Sequence, residues 1–289
     1  MFTSPAQGFC ALRTPTTGAG AAFGRWSGLN TLDHAELVGW DNFRQMLLYD
    51  PRFRHSLEVT LIYVLLAVPI GQLAALGAAL LMNYEIRGIG FFRAAWYLPS
   101  VLAGVAIAVL WRWVFHGEHG LLNALLEPIV GLFGGRPPDW FGTSASRWGV
   151  PAFVIMNMWT IGGGMMIYLA GLKGIPTELY EAAHIDGATG LRRFRAVTLP
   201  MLSPVIFFNF IIAIILSFQV FTQAYVMTGG GPGDATRFYV LYLFNQAFDL
   251  YQMGYASAMA WLLLIIVLVL TLVVMVGSKR FVYYEALRA

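Results

Sequence analysis

The chain has 289 residues, of which 58% are apolar and only 11% are charged. An average soluble domain is roughly 25% charged and needs a polar shell over its core, so this composition excludes a water-soluble globule and indicates an integral membrane protein. The net charge of +3 does not indicate a nucleic-acid partner, and the lone cysteine, Cys10, excludes an intramolecular disulfide or a cysteine-based metal site.

Five stretches are apolar and long enough to cross about 30 Å of hydrocarbon as an α-helix. Each is continuously apolar rather than alternating, which excludes the strands of a membrane β-barrel. Arg112 is their only charged residue. We therefore predict an all-α fold, a polytopic transmembrane helix bundle over residues 57–289. The predicted spans are 59–82, 94–115, 149–172, 203–227 and 254–277.

The distribution of basic residues predicts the orientation of the bundle. Half of the 18 lysines and arginines lie in three short segments, at 84–93, 172–202 and 278–289. Dense basic residues in short loops mark the cytoplasmic side of a membrane protein. We therefore expect the loops 116–148 and 228–253 to lie outside and the C-terminus to lie inside.

The segment 1–56 differs from the rest of the chain. Five spans and an inner C-terminus put it outside, yet it has neither a signal-peptide hydrophobic region nor a span of its own. Its residues 14–20 are threonine, proline, glycine and alanine and predict a flexible coil. We expect this segment either to cross the membrane unaided or to follow a mis-assigned start that omits a first helix.

The cytoplasmic loop between the third and fourth spans predicts two short helices. Pro176 suits a first helical turn, Glu178 favours the positive N-terminal end, and Gly187 can end the helix in a left-handed conformation. A second helix over 188–197 carries three arginines. Pro200 then sets the turn into the next span.

One face of the first loop helix is predicted to be flat and apolar. Two adjacent alanines would allow close approach by another protein, whereas a solvated hairpin whose arginines only enforce topology would need no partner. Charge and spacing alone leave both interpretations open. The residues that share the face at helical spacing are Leu179, Ala182, Ala183 and Ile185.

Three short strings in this loop resemble the EAA loop of the membrane subunits of bacterial binding-protein-dependent ABC importers. They are Glu181-Ala182-Ala183, Ile185-Asp186-Gly187-Ala188 and Thr198-Leu199-Pro200. Other segments resemble the carbohydrate-uptake branch, the type of the maltose and glycerol-3-phosphate permeases: 39–43, 92–93 with 98–99, 120–123, and 228–233. The resemblance runs from about residue 37 to the end. Members of this family have a further helix before the Trp40 region, so six spans are expected and this sequence shows five.

The resemblance implies a permease subunit in the bacterial inner membrane, in contact with lipid. Its partners would be a second homologous permease, a dimer of ATP-binding subunits and an extracytoplasmic solute-binding protein. The hairpin would dock on the ATPase and couple ATP binding there to a change of access in the membrane. The coupling role is carried over to the matching residues Glu181, Ala182, Ala183, Asp186 and Gly187.

The chain contains no recognisable ATP site of its own. A phosphate-binding loop needs a lysine directly after a glycine, and neither of the two lysines, Lys173 and Lys279, has that neighbour. We therefore expect no cofactor in this chain and ATP hydrolysis in a partner subunit. The cluster His116, Glu118 and His119 is interrupted by a glycine and predicts no metal site.

The predicted spans offer mostly neutral polar groups, which suit an uncharged polyhydroxylated ligand better than an ion. Gln219 and Gln223 are four residues apart and would share one helix face, with Asn209 off that face. Aromatic rings at Trp159, Phe218, Phe221, Tyr225 and Trp261 would allow stacking on a sugar. The candidate pathway residues are Asn157, Asn209, Gln219 and Gln223, although each could instead join helices.

Two other functions compete with sugar import. An importer of an anionic polyol phosphate such as glycerol 3-phosphate would need a basic group in the pathway, and Arg112 is the candidate. A membrane-embedded enzyme would need a nucleophile with a base, or a metal, inside the bundle. No histidine lies in any predicted span, which argues against the enzyme.

Overall fold

A computed structural model describes residues 18–29, 36–84 and 86–278. Cys10, residues 14–17 of the predicted coil, and the basic residues of the C-terminal segment 279–289 lie outside the described residues. Residues 18–20 of that coil belong to a short helix, so the prediction of coil was wrong there.

The described chain is mostly helical and has almost no strand, which confirms the all-α prediction. The helices are α1 Gly18–Ala21, α2 Asp41–Arg44, α3 Pro51–Met82, α4 Ile89–Val101, α5 Gly104–Val114, α6 Leu121–Leu132, α7 Ala145–Trp159, α8 Gly162–Lys173, α9 Thr177–Ile185, α10 Gly190–Arg193, α11 Leu199–Ser217, α12 Thr222–Met227, α13 Tyr239–Phe244 and α14 Met253–Ser278. Wider π-helical turns cover Gln45–Tyr49, Phe194–Thr198 and Asn245–Asp249. Two short antiparallel strands, β1 Gly24–Arg25 and β2 Glu36–Leu37, pair near the N-terminus.

Helix α3 is the central span and begins upstream of its predicted start at residue 59. Asp50 caps it by accepting hydrogen bonds from the amides of Arg52 and Phe53, at 2.9 and 3.0 Å. Pro51 occupies the first turn, where a missing N–H costs nothing. At the other end the Arg93 guanidinium donates to the carbonyl of Met82, at 2.7 Å for Nη2. Both ends of the longest helix are therefore held by side chains.

Two of the predicted spans are broken helices. The span predicted at 94–115 consists of α4 and α5, bent by 99°, and the span at 149–172 consists of α7 and α8, bent by 47°. Among the described residues three helices can cross a membrane unbroken, or five spans exist if each bent pair counts as one. The number of spans agrees with the prediction when each bent pair counts as one. The prediction that each of these two spans is one continuous helix was wrong.

The fourth span also differs from its prediction. It ends at Ser217 rather than 227, because residues 218–221 break the helix and α12 then packs separately against α5. Before it, α10, the π turn 194–198 and α11 form one helix over Gly190–Ser217. The predicted turn at Pro200 was therefore wrong, because Pro200 lies at the start of α11. A proline has no N–H and interrupts the regular helical hydrogen bonds, and the wider π turn lies directly before it.

The bundle has two ends, which we call the hairpin end and the loop end. The hairpin end carries residues 174–198 and a core cluster that includes Met165, Leu172 and Leu202. The loop end carries the connections 116–144 and 228–252 and a cluster of Phe53, Tyr239, Tyr255 and neighbours. Between them lies a larger core around α3, α7 and α11.

The N-terminal segment packs on the start of α14 at the loop end. The amide of Gly254 donates to the carbonyl of Trp26 at 3.1 Å. A Cβ atom at position 254 would collide with the backbone of Gly24, so only glycine allows this close approach. The described part of the N-terminal segment is thus part of the fold, and α14 is its main contact.

Candidate functional site

A cavity of ≈ 540 Å³ lies in the middle of the bundle, between α3, the α7–α8 break, the C-terminal half of α11 and α12. All four predicted pathway residues line it: Asn157, Asn209, Gln219 and Gln223. The helix breaks create this space, because the backbone turns away at 160–161 and 218–221 instead of filling the centre with a straight helix. We call it the central cavity.

The four amides are not equivalent. Asn209 is buried and its amide nitrogen donates to the carbonyl of Gly164 at 3.3 Å. The backbone carbonyl of Asn209 accepts a hydrogen bond from Gln72 Nε2 at 3.1 Å, and the side-chain oxygen of Gln72 accepts one from the Tyr168 hydroxyl. This series of hydrogen bonds joins α3, α8 and α11, so Asn209 stabilises the wall of the cavity.

The other three amides are open to a ligand. The side chains of Asn157, Gln219 and Gln223 form no hydrogen bond with any described residue, while all three line the central cavity. The prediction that Gln219 and Gln223 share one helix face assumed a continuous helix. That prediction was wrong, because α11 ends at Ser217 and α12 begins at Thr222. Both line the same space, Gln219 from the break and Gln223 from the first turn of α12.

Every residue that lines the central cavity is uncharged. Arg112 instead is exposed and borders a separate cleft at the loop end, with Arg136 and Asp139. The predicted basic group in the pathway is therefore not in this cavity.

The predicted aromatic partners also lie elsewhere. Tyr63 is the aromatic residue in the cavity wall, and the five rings named from the sequence are absent from it. Trp159 packs against Trp111 with ring centroids 5.9 Å apart, and Phe221 stacks on Tyr225 at 5.5 Å. None of the five rings therefore lies where it could stack on a ligand in the central cavity.

The hairpin has the predicted first helix and its left-handed end. Helix α9 ends at Ile185, Gly187 has φ +73°, and the amide of Ala188 returns to the carbonyl of Ala183 at 2.9 Å. Only glycine adopts this conformation without strain. The prediction for Gly187 is confirmed.

Side-chain contacts join the first helix of the hairpin to the helix Gly190–Ser217 that follows it. The hydroxyls of Tyr180 and Thr198 are 3.2 Å apart, and the Arg193 guanidinium lies 5.8 Å from the centre of the Tyr180 ring. These contacts join α9 to the helix Gly190–Ser217, whose far end lines the central cavity.

The two alanines of the predicted flat face point in different directions. Ala183 is buried within the chain, at 7% exposure, whereas Ala182 is exposed. The outward face of α9 instead combines Leu179, Ala182 and Ile185, and Ile185 is 85% exposed. Glu181, Asp186 and Gly187 are also exposed. The predicted pair of adjacent alanines thus contributes one residue to the inside and one to the surface.

Two features of the site were missed in the sequence. Gly163 and Gly164 line the central cavity where α8 begins, and the run Gly162–Gly164 after a polar threonine is the signal that indicated a break. Asp50 accepts hydrogen bonds from the hydroxyls of Tyr242 and Tyr255, both at 2.6 Å. An aspartate directly before a proline predicts a helix cap, but nothing local predicts its two distant tyrosines.

Comparisons with known proteins show what the chain is similar to. A family model described as "Binding-protein-dependent transport system inner membrane component" matches residues 59–282. The chain is 43% identical over 253 residues to the probable ABC transporter permease protein YesP of Bacillus subtilis strain 168, covering 86% of this chain and 80% of that one. It is 36% identical over 245 residues to the trehalose/maltose transport system permease protein MalF of Thermococcus litoralis, covering 84% and 80%.

A solved structure has the same fold. It is a bacterial ABC transporter involved in the import of the acidic polysaccharide alginate, with a TM-score of 0.77 at 23% identity, and the match covers 95% of this chain and 91% of that chain. At this identity the likeness shows the fold alone.

Proposed function

Because the chain belongs to the family of binding-protein-dependent transport system inner membrane components, and is thus a multi-pass transport subunit, we propose that its central cavity is half of the pathway for an uncharged sugar or polyol. The observation that carries the proposal is the cavity wall: three unpaired amides, at Asn157, Gln219 and Gln223, and no charged group. Amides both donate and accept hydrogen bonds, as sugar hydroxyls do.

The sugar class has support from one similar protein. The Thermococcus relative is named for trehalose and maltose transport, and it aligns with 84% of this chain. An anionic polyol phosphate fits this cavity poorly, since it would lie in a neutral wall with no cation to offset its desolvation. Arg112, on the separate cleft, would not supply that charge.

The remaining partners follow from the family. The second permease subunit would close the open side of the central cavity, and a solute-binding protein would deliver the sugar from outside. An ATPase dimer would hold the hairpin through the exposed Glu181, Ala182, Asp186 and Gly187, while the buried Ala183 would support α9 from within the chain. The connection from Tyr180 to Thr198 supports this role, because it joins the hairpin to a helix that reaches the cavity. The membrane would be the inner membrane of a bacterium.

Removal of one free amide is expected to weaken transport. Asn157→Leu has nearly the same volume but loses both hydrogen-bonding groups, and a lost hydrogen bond to a neutral ligand costs about 0.5–1.5 kcal/mol, or roughly two- to tenfold in affinity. Uptake of maltose or trehalose by vesicles with the complete importer and its binding protein measures the effect. Gln223→Leu is expected to act similarly.

Arg112→Gln is the matched control for this experiment. It removes a charge but leaves the central cavity intact, so uptake of the neutral sugar should stay at the wild-type level. If Arg112→Gln abolished uptake of glycerol 3-phosphate while Asn157→Leu changed nothing, the substrate would be the anion and the sugar proposal would be wrong.

We expect the purified chain alone neither to hydrolyse ATP nor to transport. No lysine follows a glycine in the sequence, and the cavity wall here is only half of an enclosed path. Reconstitution of this chain in vesicles, with and without the partner subunits, measures both activities. Uptake or ATP hydrolysis by the isolated chain would contradict the assignment of a permease subunit.

A further inference from the structure

A second groove, of ≈ 870 Å³, lies between the loop-end halves of α3 and α7 and is bordered by residues 232–235. It is on the opposite side of α3 from the central cavity. Ile62 lines the groove and Gly71 lines the cavity. These positions are about two and a half turns apart at 3.6 residues per turn, and the half turn puts them on opposite faces of α3. We call this space the lateral groove.

The mouth of the lateral groove carries charges of both signs. Arg147 lies in the first turn of α7 and forms no ion pair among the described residues. Glu58 is 70% exposed and lies 4.0 Å from the imidazole of His55. His55 is held by the loop above it, because its Nε2 is 3.2 Å from the carbonyl oxygen of Asp234. The Arg147 guanidinium lies 5.8 Å from the centre of the Trp148 ring, a contact that leaves its charge without a carboxylate partner. A guanidinium without an ion pair and a mostly exposed carboxylate thus line one opening.

The depth of the groove is apolar. Below Glu58 its α3 wall consists of Val59, Ile62 and Leu66, and Ile62 and Leu66 are 43% and 39% exposed. The rise from Glu58 to Leu66 is about 12 Å along the helix. Polar groups therefore lie at the loop end of the groove and apolar groups farther along α3, which is the order of groups in a phospholipid.

We propose that the lateral groove binds a phospholipid whose headgroup carries a primary ammonium, such as phosphatidylethanolamine. Arg147 would bind the phosphate, Glu58 would accept hydrogen bonds from the ammonium, and an acyl chain would lie along Ile62 and Leu66. A primary ammonium can donate to a carboxylate, whereas the quaternary ammonium of phosphatidylcholine has no N–H, and phosphatidylglycerol has no cation.

The position of the groove favours lipid over a protein partner. If the second permease subunit closes the central cavity, as proposed above, the opposite side of α3 faces away from that subunit. Only this step rests on the proposed function. The two charges at the mouth complement the two charges of the headgroup, which a purely apolar protein contact would leave unpaired.

Lipid retention on the complete importer tests the proposal. The purified complex is incubated with phosphatidylethanolamine, phosphatidylcholine and phosphatidylglycerol of identical acyl chains, and bound lipid is counted by native mass spectrometry. We expect phosphatidylethanolamine to be preferred in the wild type. Arg147→Gln should reduce retention of phosphatidylethanolamine and phosphatidylcholine roughly tenfold, since it removes a charge-assisted contact to the phosphate. Glu58→Gln should remove the preference for phosphatidylethanolamine over phosphatidylcholine.

Three further variants keep the result interpretable. Ile62→Trp fills the groove without changing a charge and should also reduce retention. Arg136→Gln and Glu118→Gln remove exposed charges outside the groove and should leave retention unchanged. Equal retention of all three lipids, wild-type retention by Ile62→Trp, or cross-linking of position 62 to a protein subunit would overturn the proposal. The assay contains neither sugar nor ATP, so its failure does not depend on the transport proposal.

Discussion

Ala182→Asp is expected to release the ATPase subunit from the importer while the transmembrane helices stay folded. Ala182 is exposed on the outward face of α9 between Leu179 and Ile185. If this face docks on the ATPase, the substitution buries an unpaired charge in the interface, at a cost of about 2–5 kcal/mol. Co-purification of the ATPase with the permease pair, and ATP hydrolysis stimulated by the sugar-loaded binding protein, measure the loss.

Thr177→Asp is the matched control. It adds the same charge to the same hairpin, but at the N-terminus of α9, where a carboxylate is favourable, and off the outward face. The ATPase should stay bound. Ala183→Asp is a poorer test, because Ala183 is buried in the chain and the charge would disrupt the hairpin itself. Wild-type binding by Ala182→Asp would show that the hairpin is a solvated loop.

Asp50→Ala is expected to destabilise the loop end of the bundle. One oxygen of Asp50 caps α3, and the other accepts hydrogen bonds from the hydroxyls of Tyr242 and Tyr255, both at 2.6 Å. Both tyrosines are buried. Loss of the cap costs about 1 kcal/mol and each unsatisfied buried hydroxyl about 1–3 kcal/mol, so the total is about 3–7 kcal/mol if the hydroxyls find no new partner.

The protonation state of Tyr242 supports this role. Burial, and then the hydrogen bond and negative charge of Asp50, raise the pKa of the Tyr242 phenol above its ordinary value. The phenol therefore stays protonated at neutral pH and remains a donor. Its hydroxyl in turn accepts a hydrogen bond from Gln246 Nε2 at 2.6 Å, which extends the network into the π turn Asn245–Asp249.

A combination of variants separates the cap from the tyrosines. In a background of Tyr242→Phe and Tyr255→Phe, Asp50→Ala should cost only the cap, about 1 kcal/mol. The change in Tm of the purified complex measures each variant. An equal shift in both backgrounds would show that the two hydroxyls do not depend on Asp50.

Local features of the sequence predicted several details correctly. The left-handed conformation at Gly187 and the helix over 177–185 follow from residue types a few positions apart. The course of the spans did not, because hydropathy sums transfer free energies along the chain and does not register the direction of the backbone. A stretch such as 94–115 is uniformly apolar whether it is one helix or two helices bent by 99°.

By itself, the sequence determined that this chain is an all-α membrane protein with a helical hairpin between its third and fourth spans, because composition, long apolar stretches and short motifs depend only on neighbours along the chain. Only the tertiary structure decided which polar residues meet. Gln72 and Asn209 are 137 positions apart, and Gln219 lines the central cavity from the break at 218–221, which hydropathy did not indicate. It also decided that Ala183 is buried and Ala182 exposed. Such pairings depend on how distant helices pack, and packing combines many small contacts that no single segment encodes.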